Sequence, residues 1–272
     1  MPEKYLHETE KFTAPCRYPI VLVHGVMLKD FKFLRAFGRI EKILRRAGHI
    51  VYTAKIDGFG TIESNAVQLK KYIDDVRIKE KAEKVNLIAH SKGGLDSRYM
   101  IENLEMGKRV ASLTTLCTPH KGSQIASQLL RLPKSTTAFI AFWVNFWYKL
   151  FGDEKPNALQ VCKQLQSIET NEDDAREFLS DVYCQSYSAT LNRSRDDFIM
   201  GIPLVFSKRF EKSSSDGLVT PSSSKFGDYK GDCLDGSVSH LQIVGYAAGK
   251  KKKEKIYAFY LQLCNELAQK GY

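Results

Sequence analysis

One serine stands in a setting that suits a nucleophile. Ser91 lies between the small residues Ala89 and Gly93, directly after the apolar run 85–89 and before the helix-like stretch 95–104. A serine on a tight strand-to-helix turn projects its hydroxyl clear of the sheet, and small residues two positions away leave room for the crossing chain. The pattern therefore predicts a serine that attacks an acyl carbon. A helix-capping serine on an ordinary turn is the alternative.

A serine hydroxyl needs a base, and six histidines are available. We expect His240 to be the base, because enzymes built on such a turn place the histidine late, after the nucleophile and the acid. His90 is adjacent to Ser91, but neighbouring strand residues face opposite ways. His24 and His120 are expected to support loops beside the site. A surface-loop histidine is the alternative for His240.

The acid that orients the imidazole must lie between the nucleophile and the base. Asp216 follows a polar loop, and Asp228, Asp232 and Asp235 are competitors closer to His240. Spacing does not choose among them, since the dipeptide that begins at Asp216 is Asp-Gly, which is also common in turns.

Two backbone N–H groups should stabilise the negative charge that develops on the substrate carbonyl oxygen. One is predicted at Lys92, directly after the serine. The other is predicted at Val26, in the loop after the first strand, where Gly25 lets the backbone approach closely. The Lys92 ammonium either raises the local positive potential or points to solvent.

The elements that position these residues alternate along the chain. Apolar runs predict strands at 18–23, 50–56, 85–89, 110–117 and 203–207, and periodic segments predict helices at 31–47, 64–79, 95–104 and 256–268. Alternation of this kind indicates parallel βαβ units, whose sites form at the carboxyl ends of the strands. The sequence predicts one α/β domain over residues 1–272, with a mostly parallel central sheet flanked by helices.

The alternation stops between residues 123 and 201, where the pattern is mostly helical and predicts an insertion over the site. Aromatic residues recur there at three- and four-residue spacing: Phe139, Phe142, Trp143, Phe146 and Trp147. Such a helix is predicted to be a lid that covers an acyl pocket in water and meets lipid when it opens. A buried core helix is the alternative.

Composition and charge favour a globular protein that meets anionic surfaces, and they argue against nucleic-acid binding. The chain has 272 residues, is 43% hydrophobic and carries a net charge of +10, which favours contact with an anionic lipid interface. Nucleic-acid binding is not expected, because no arginine-rich arm or RNA-binding signature accompanies the charge. The six cysteines include no Cys-x-x-Cys pair, so no metal site is expected. A charged amino-terminal segment without an apolar signal region predicts a cytoplasmic location.

Several segments in this order resemble the bacterial true-lipase family of triacylglycerol lipases, which are α/β-hydrolases. They are residues 18–25, 84–99, 118–123, 216–219 and 240–241. The resemblance implies a triad of Ser91, Asp216 and His240, and a lid. It also implies hydrolysis of carboxylic esters with medium or long acyl chains. An acyltransferase or thioesterase with the same triad, and a non-catalytic lipid-binding protein on this fold, are the alternatives.

The chain departs from that family at three positions. Many members bind a structural calcium through an aspartate two residues after the histidine, where this chain has Gln242. A neutral amide is a poor ligand for a hard cation, so we expect neither calcium nor another cofactor. Ala89 replaces the usual glycine of the nucleophile turn, which is a mild change. Ser222 replaces a disulfide cysteine of some members, in agreement with a reducing compartment.

Overall fold

The computed structural model describes residues 14–27, 35–166, 181–210 and 214–272. Six strands in these ranges form one parallel sheet, in the spatial order β2-β1-β3-β4-β5-β6. Along the chain they are β1 Ile20–Val23, β2 Val51–Thr53, β3 Val85–His90, β4 Val110–Leu116, β5 Tyr183–Ser188 and β6 Asp228–Asp232. Parallel neighbours require crossover connections over the faces of the sheet. The predicted α/β fold is therefore confirmed.

In the part of the chain that the structure describes, eight helices lie in those crossovers and a ninth follows the last strand. They are α1 Ile40–Arg46, α2 Ile62–Glu80, α3 Lys92–Asn103, α4 Gln124–Leu130, α5 Lys134–Leu150, α6 Ala158–Gln166, α7 Phe198–Phe210, α8 Pro221–Ser224 and, after β6, α9 Lys250–Gln269. The helix predicted over 31–47 begins at Ile40, and its predicted residues 31–34 lie outside the described residues. Among the helices of the described ranges, none is both long enough and apolar enough to cross a membrane.

The sheet separates two apolar layers. On one face Ile20, Leu22 and Ile88 pack with residues of α1 and α9, and on the other Val21 and Leu87 pack with residues of α2 and α3. Successive strand residues point to opposite faces, so a strand covered on both sides is apolar at every position. This explains why β1 and β3 are conspicuous as apolar runs in the sequence.

The strand predicted at 203–207 is wrong, because this run lies inside helix α7. A short apolar run fits a strand or a helix equally well, and length decides between them. Apolar residues continue on the amino-terminal side of the run, and the helix is 13 residues long.

The strand that completes the sheet is β5, which lies inside the predicted helical insertion 123–201. Its residues are mostly polar, and their buried side chains find hydrogen-bond partners: Gln185 donates to Thr114 Oγ1 at 2.9 Å, and Ser186 Oγ accepts from the Phe226 N–H at 2.9 Å. A strand of the central sheet therefore lies within the predicted helical insertion 123–201, between α6 and α7.

Candidate active site

The turn after β3 holds Ser91 in a conformation that few residues adopt. Its φ is 56° and its ψ is −132°, while its N–H donates to Leu116 O at 2.9 Å. A Cβ at Gly93 would lie 2.5 Å from His24 O and 2.7 Å from Val23 O. The strained turn and the close crossing of the chain are the features expected of a nucleophile elbow.

Ser91, His240 and Asp216 form one row of hydrogen bonds. His240 Nε2 lies 2.8 Å from Ser91 Oγ, and His240 Nδ1 lies 2.6 Å from Asp216 Oδ2. Asp216 and His240 are buried, whereas Ser91 is half-buried. These distances suit proton transfer from the hydroxyl to the imidazole, with the carboxylate fixing the ring tautomer. The structure thus brings together the three residues that were predicted as a triad.

Backbone amides hold Asp216 in place. Its Oδ1 accepts from the N–H groups of Leu218 and Val219, at 2.9 and 2.8 Å, which leaves Oδ2 for the imidazole. In addition, the His240 N–H donates to the Asp216 carbonyl at 2.9 Å. The acid and the base are therefore fixed to each other by main chain as well as side chain.

The competing aspartates lie on β6 and in the loop that follows it. Asp228 pairs with Lys230 Nζ at 2.5 Å, and the Asp232 carboxylate accepts a hydrogen bond from the Ser188 hydroxyl. Asp235 is exposed. The carboxylate that bonds the His240 imidazole comes from Asp216 and not from these three.

The two predicted oxyanion donors lie on the chain segments that flank the serine. Lys92 is the first residue of α3, where a backbone N–H has no acceptor within the helix. Val26 follows Gly25, and a Cβ at Gly25 would lie only 2.5 Å from Ser91 Cβ. The loop after β1 therefore runs directly against the nucleophile, as the predicted role of Val26 requires.

The side chain of Lys92 does not point to solvent. Its Nζ lies 2.6 Å from Asp96 Oδ1, and both side chains are 1% exposed. Asn65 Nδ2 donates to Asp96 Oδ2 at 3.0 Å and to Asp57 O at 2.9 Å. Burial raises the pKa of Asp96 to about 6, against the opposing effect of the Lys92 ammonium. The ammonium is therefore committed to a buried network beneath the nucleophile turn.

Sequence analysis missed two supports of the site. His90 Nε2 lies 3.0 Å from His240 O, and the two imidazole rings are 4.6 Å apart. Burial and the neighbouring His240 lower the pKa of His90 well below its ordinary value, so it acts as a neutral support. Thr118 Oγ1 donates to Ser91 O at 2.8 Å. His90 is the polar last residue of a strand in which Asn86 is the other polar residue, and this position was the signal for it.

The other two histidines beside the site, His24 and His120, have structural partners, as expected. His24 Nδ1 lies 3.0 Å from Gly25 O, and His120 Nε2 lies 3.1 Å from Thr115 Oγ1. The His120 ring stacks on Phe226 with a centroid distance of 4.5 Å. Burial lowers the pKa of His120 to about 3, so it stays neutral.

The five predicted lid residues are Phe139, Phe142, Trp143, Phe146 and Trp147. They lie on α5 with side chains 43% to 65% exposed, and Ala141 is the buried residue of this helix. The Trp143 ring meets those of Phe139, Phe142 and Phe146 edge to face, and the Phe146 ring meets that of Trp147 in the same way, at centroid distances of 5.7 to 6.3 Å. The alternative of a buried core helix is therefore wrong for these residues, and their role as a lid stays a prediction.

One end of α5 is fastened to the loop after β2. Asp153 accepts from Gly58 N and Phe59 N at 3.1 and 2.9 Å, and Asp57 accepts from the amides of residues 154 and 155, both at 2.8 Å. Tyr148 donates from its hydroxyl to Met27 O at 2.9 Å. The carboxyl end of α5 is thus joined to the loop after β2 and, through Tyr148, to the loop after β1 that carries Val26.

The position where the lipase family binds calcium does not suit the ion. Gln242 Oε1 accepts from Lys252 Nζ at 2.9 Å and from Ser239 N at 3.2 Å, so an ammonium already meets the oxygen that would face a cation. Among the described residues, Cys117, Asp216 and His240 have potential metal-ligand atoms close together. Burial raises the pKa of Cys117 well above its ordinary value, which keeps the thiol protonated and a poor ligand.

Comparison with known proteins agrees with this geometry. The family described as palmitoyl protein thioesterase matches residues 19–246. The chain is 31% identical to triacylglycerol lipase 2 of Saccharomyces cerevisiae over 264 residues, covering 86% of this chain and 73% of that protein. It is 34% identical over 169 residues to a triacylglycerol lipase of Pseudarthrobacter phenanthrenivorans. This match covers 58% of this chain and 52% of that relative.

Solved structures show the same fold. The crystal structure of Staphylococcus hyicus lipase matches with a TM-score of 0.64 and covers 95% of this chain and 98% of its own, at 14% sequence identity. At this identity the match demonstrates a common architecture.

Proposed function

The chain belongs to the α/β-hydrolase family described as palmitoyl protein thioesterase, and from this premise we propose that it cleaves medium- or long-chain acyl esters with Ser91 as nucleophile. The predicted resemblance to triacylglycerol lipases is confirmed by its relatives, and the chain is a carboxylic ester hydrolase. The observation that carries the proposal is the hydrogen-bonded row from Ser91 through His240 to Asp216.

In the first half of the proposed reaction Ser91 Oγ attacks the ester carbonyl carbon. As the O–C bond forms, the hydroxyl proton passes to His240 Nε2, which lies 2.8 Å away. The Asp216 carboxylate stabilises the resulting imidazolium and does not itself take the proton. The N–H groups of Lys92 and Val26 donate to the oxyanion.

The second half returns the enzyme to its starting state. The imidazolium gives its proton to the departing alkoxide as the C–O bond of the ester breaks, and the acyl group stays on Ser91. His240 then takes a proton from water, whose oxygen attacks the acyl carbon. The fatty acid leaves, and Ser91 recovers its proton from the imidazolium.

We propose that α5 covers the acyl pocket and that the substrate is met at a lipid surface. Exposed apolar side chains are found on α4, α5 and α7, at Leu129, Phe142 and Ile199 among others, and α4 contacts both of the other helices. Apolar helix faces of this kind enter a lipid interface, and the net charge of +10 favours an anionic one.

Thioester cleavage is the second candidate. The observation in its favour is the match of residues 19–246 to the family described as palmitoyl protein thioesterase. The same nucleophile and base serve both bonds, because only the leaving group changes from an alcohol to a thiol. The choice depends on the pocket that holds the leaving group.

The test uses two measurements on the full chain. A fluorophosphonate probe should label wild type and not Ser91→Ala, whereas equal labelling of the two would reject Ser91 as nucleophile. p-Nitrophenyl esters of increasing chain length are then compared with matched acyl thioesters. Turnover that rises with ester chain length supports the lipase proposal, and a clear preference for thioesters selects the second candidate. Absence of both labelling and turnover would favour a non-catalytic lipid-binding protein.

A further inference from the structure

A second cluster of reactive groups lies away from the active site, where the chain enters β1. Cys16 is half-buried there against the terminal helix α9, and its Sγ lies 3.3 Å from Cys264 O. The neighbouring Arg17 N–H donates to Tyr272 O at 2.8 Å. The segment before β1 is thus bonded to α9 through Cys16 and to the residue Tyr272 beyond α9 through Arg17, and in both bonds the partners are at least 248 residues apart in sequence.

The cluster contains two thiols and an imidazole. Cys264 is completely buried, and the Cys16 N–H donates to His49 Nδ1 at 3.1 Å. A hydrogen bond from the Cys264 thiol, and less strongly His49, lower the pKa of Cys16 to about 6, against the effect of burial. The contact with Cys16 and burial together raise the pKa of Cys264 well above its ordinary value. Cys16 is thus a partly exposed cysteine of lowered pKa beside a buried cysteine of raised pKa.

We propose that Cys16 and Cys264 are a peroxide-sensitive pair, in which Cys16 is oxidised first and Cys264 converts it to a disulfide. The observations that carry this are the approach of Cys16 Sγ to within 3.3 Å of Cys264 O, the half-exposed position of Cys16, and the hydrogen bond from the Cys16 backbone N–H to His49 Nδ1. Reactive cysteines occur in settings of this kind, next to histidine and within reach of solvent.

The chemistry balances with one hydroperoxide. The Cys16 thiolate attacks the peroxide oxygen, the O–O bond breaks, and the leaving oxygen departs as water or an alcohol after it takes a proton. Cys16 is then a sulfenic acid. The Cys264 sulfur attacks the Cys16 sulfur, the S–S bond forms, and the sulfenic oxygen leaves as water with the Cys264 proton. Two thiols lose two electrons, and the hydroperoxide gains them.

The other half-buried cysteines offer a contrast. Burial raises the pKa of Cys162, and burial raises that of Cys184 to about 12. Both thiols are therefore protonated near neutral pH and poorly nucleophilic. Cys162, which like Cys16 is half-buried, provides a matched control for reactivity.

The experiment treats the reduced, full-length protein with a small excess of hydrogen peroxide. The protein is then denatured, alkylated and digested without reductant for mass spectrometry. We expect a cross-linked peptide pair containing Cys16 and Cys264, two hydrogens lighter than the sum of the two. The melting temperature should rise by several degrees, because the bond closes a very long loop. Recovery of both cysteines as separately alkylated residues would overturn the proposal.

Variants assign the order of events. Cys162→Ser should keep the cross-link, and Cys16→Ser should abolish it. Cys264→Ala should stop at a sulfenic acid on Cys16, which dimedone traps. Native alkylation of wild type gives a readout that needs no variant to fold: Cys16 should react at least about tenfold faster than Cys162 at neutral pH. Equal rates would reject Cys16 as the reactive thiol.

Discussion

The catalytic rim, by which we mean the edge of the sheet that carries Ser91, Asp216 and His240, differs from helix α5 in how its side chains are placed. The rim is held by buried hydrogen bonds, and α5 presents exposed apolar rings. At the rim, Asp216 and His240 are buried, and every step from the amides of the acid loop to Ser91 Oγ is a short hydrogen bond. On α5, five aromatic side chains are 43% to 65% exposed, and their rings contact one another edge to face. The hydrogen bonds of the rim are already formed in the folded chain, whereas the apolar surface of α5 is stabilised only when an apolar partner covers it.

The difference separates two kinds of functional requirement. Chemistry needs groups whose positions are fixed before substrate arrives, because a small misplacement removes much of the rate. Contact with lipid needs exposed apolar area whose detailed geometry matters less. Substitution of a polar side chain should therefore reduce turnover severely at the rim and only mildly on α5. Substitution of an apolar side chain of α5 by a charged one should reduce turnover only of substrates at a lipid interface.

The largest effect is expected from removal of the nucleophile. Ser91→Ala should lower kcat by on the order of 10⁶, since the triad acts as a unit, and His240→Ala should cost a similar amount. Steady-state hydrolysis of a soluble p-nitrophenyl ester measures both. Residual turnover within a few-fold of wild type in either variant would mean that the observed row of hydrogen bonds is not the catalytic one.

The next effect concerns the acid. Asp216→Asn keeps the shape of the side chain but favours the wrong imidazole tautomer, so kcat should fall by roughly 10⁴. Asp232→Asn on β6 is the matched control and should leave kcat close to wild type. If the pattern is reversed, with Asp216→Asn active and Asp232→Asn inactive, the acid assignment is wrong.

Negative charge introduced on α5 should weaken the contact of this helix with lipid. Phe142→Asp with Phe146→Asp should remove the Trp emission shift that anionic vesicles are expected to cause. That shift should be weaker with neutral vesicles or added salt. Turnover of emulsified long-chain esters should fall about tenfold, from lost apolar contact, with soluble short-chain esters nearly unaffected.

The matched control for this pair is Val67→Asp with Ile78→Asp, which introduces the same charges at exposed apolar positions of α2. It should retain both the emission shift and the interfacial turnover. Unfolding of the α5 variant would support a structural role for these rings. A folded variant that treats both substrates as wild type does would show that α5 is not a lid.

A smaller effect is expected where the two regions meet. Tyr148→Phe removes the hydrogen bond to Met27 O and should lower the free energy of unfolding by about 1 kcal/mol. Thermal denaturation measures this loss. Turnover of short esters should fall only a few-fold, because the loop that carries Val26 keeps its other contacts. An unchanged melting temperature would mean that α5 and this loop are not joined by Tyr148.

The smallest effect is expected from metal removal. EDTA should change neither activity nor melting temperature, because Lys252 Nζ already bonds the Gln242 oxygen that corresponds to the calcium position. Differential scanning fluorimetry with and without chelator tests this. A drop in melting temperature that added calcium restores would show that other carboxylates form a site.

Sequence reasoning predicted the strands that are apolar and missed those that are polar. β1 and β3 were identifiable because both of their faces are buried by apolar packing. β5 was missed because its buried Gln185 and Ser186 are satisfied by hydrogen bonds to distant residues, which leave no periodic pattern. Strand β6 alternates exposed and half-buried polar residues at the edge of the sheet.

Some residues of the site could be predicted from local sequence, and others could not. Ser91 and His240 were placed by residue type and chain order, whereas the choice of Asp216 needed the family resemblance. The contact between His90 and His240 joins residues 150 positions apart, and no local pattern announces it. The Lys92–Asp96 pair, by contrast, has the i, i+4 spacing of a helix and was visible in principle.

The side-chain hydrogen bonds that the described residues give between α5 and its surroundings lie in its carboxyl half, so a rotation about that end would move the helix as a lever. It spans 17 residues, about 25 Å, with its pivot near Asp153 and Tyr148. A rotation of roughly 20° about that pivot would carry Phe139 some 5 to 6 Å but Trp147 less than about 2 Å, in proportion to their distances along the axis. A distance label attached at residue 137 would therefore report this rotation, whereas Trp147, which lies close to the pivot, would hardly move.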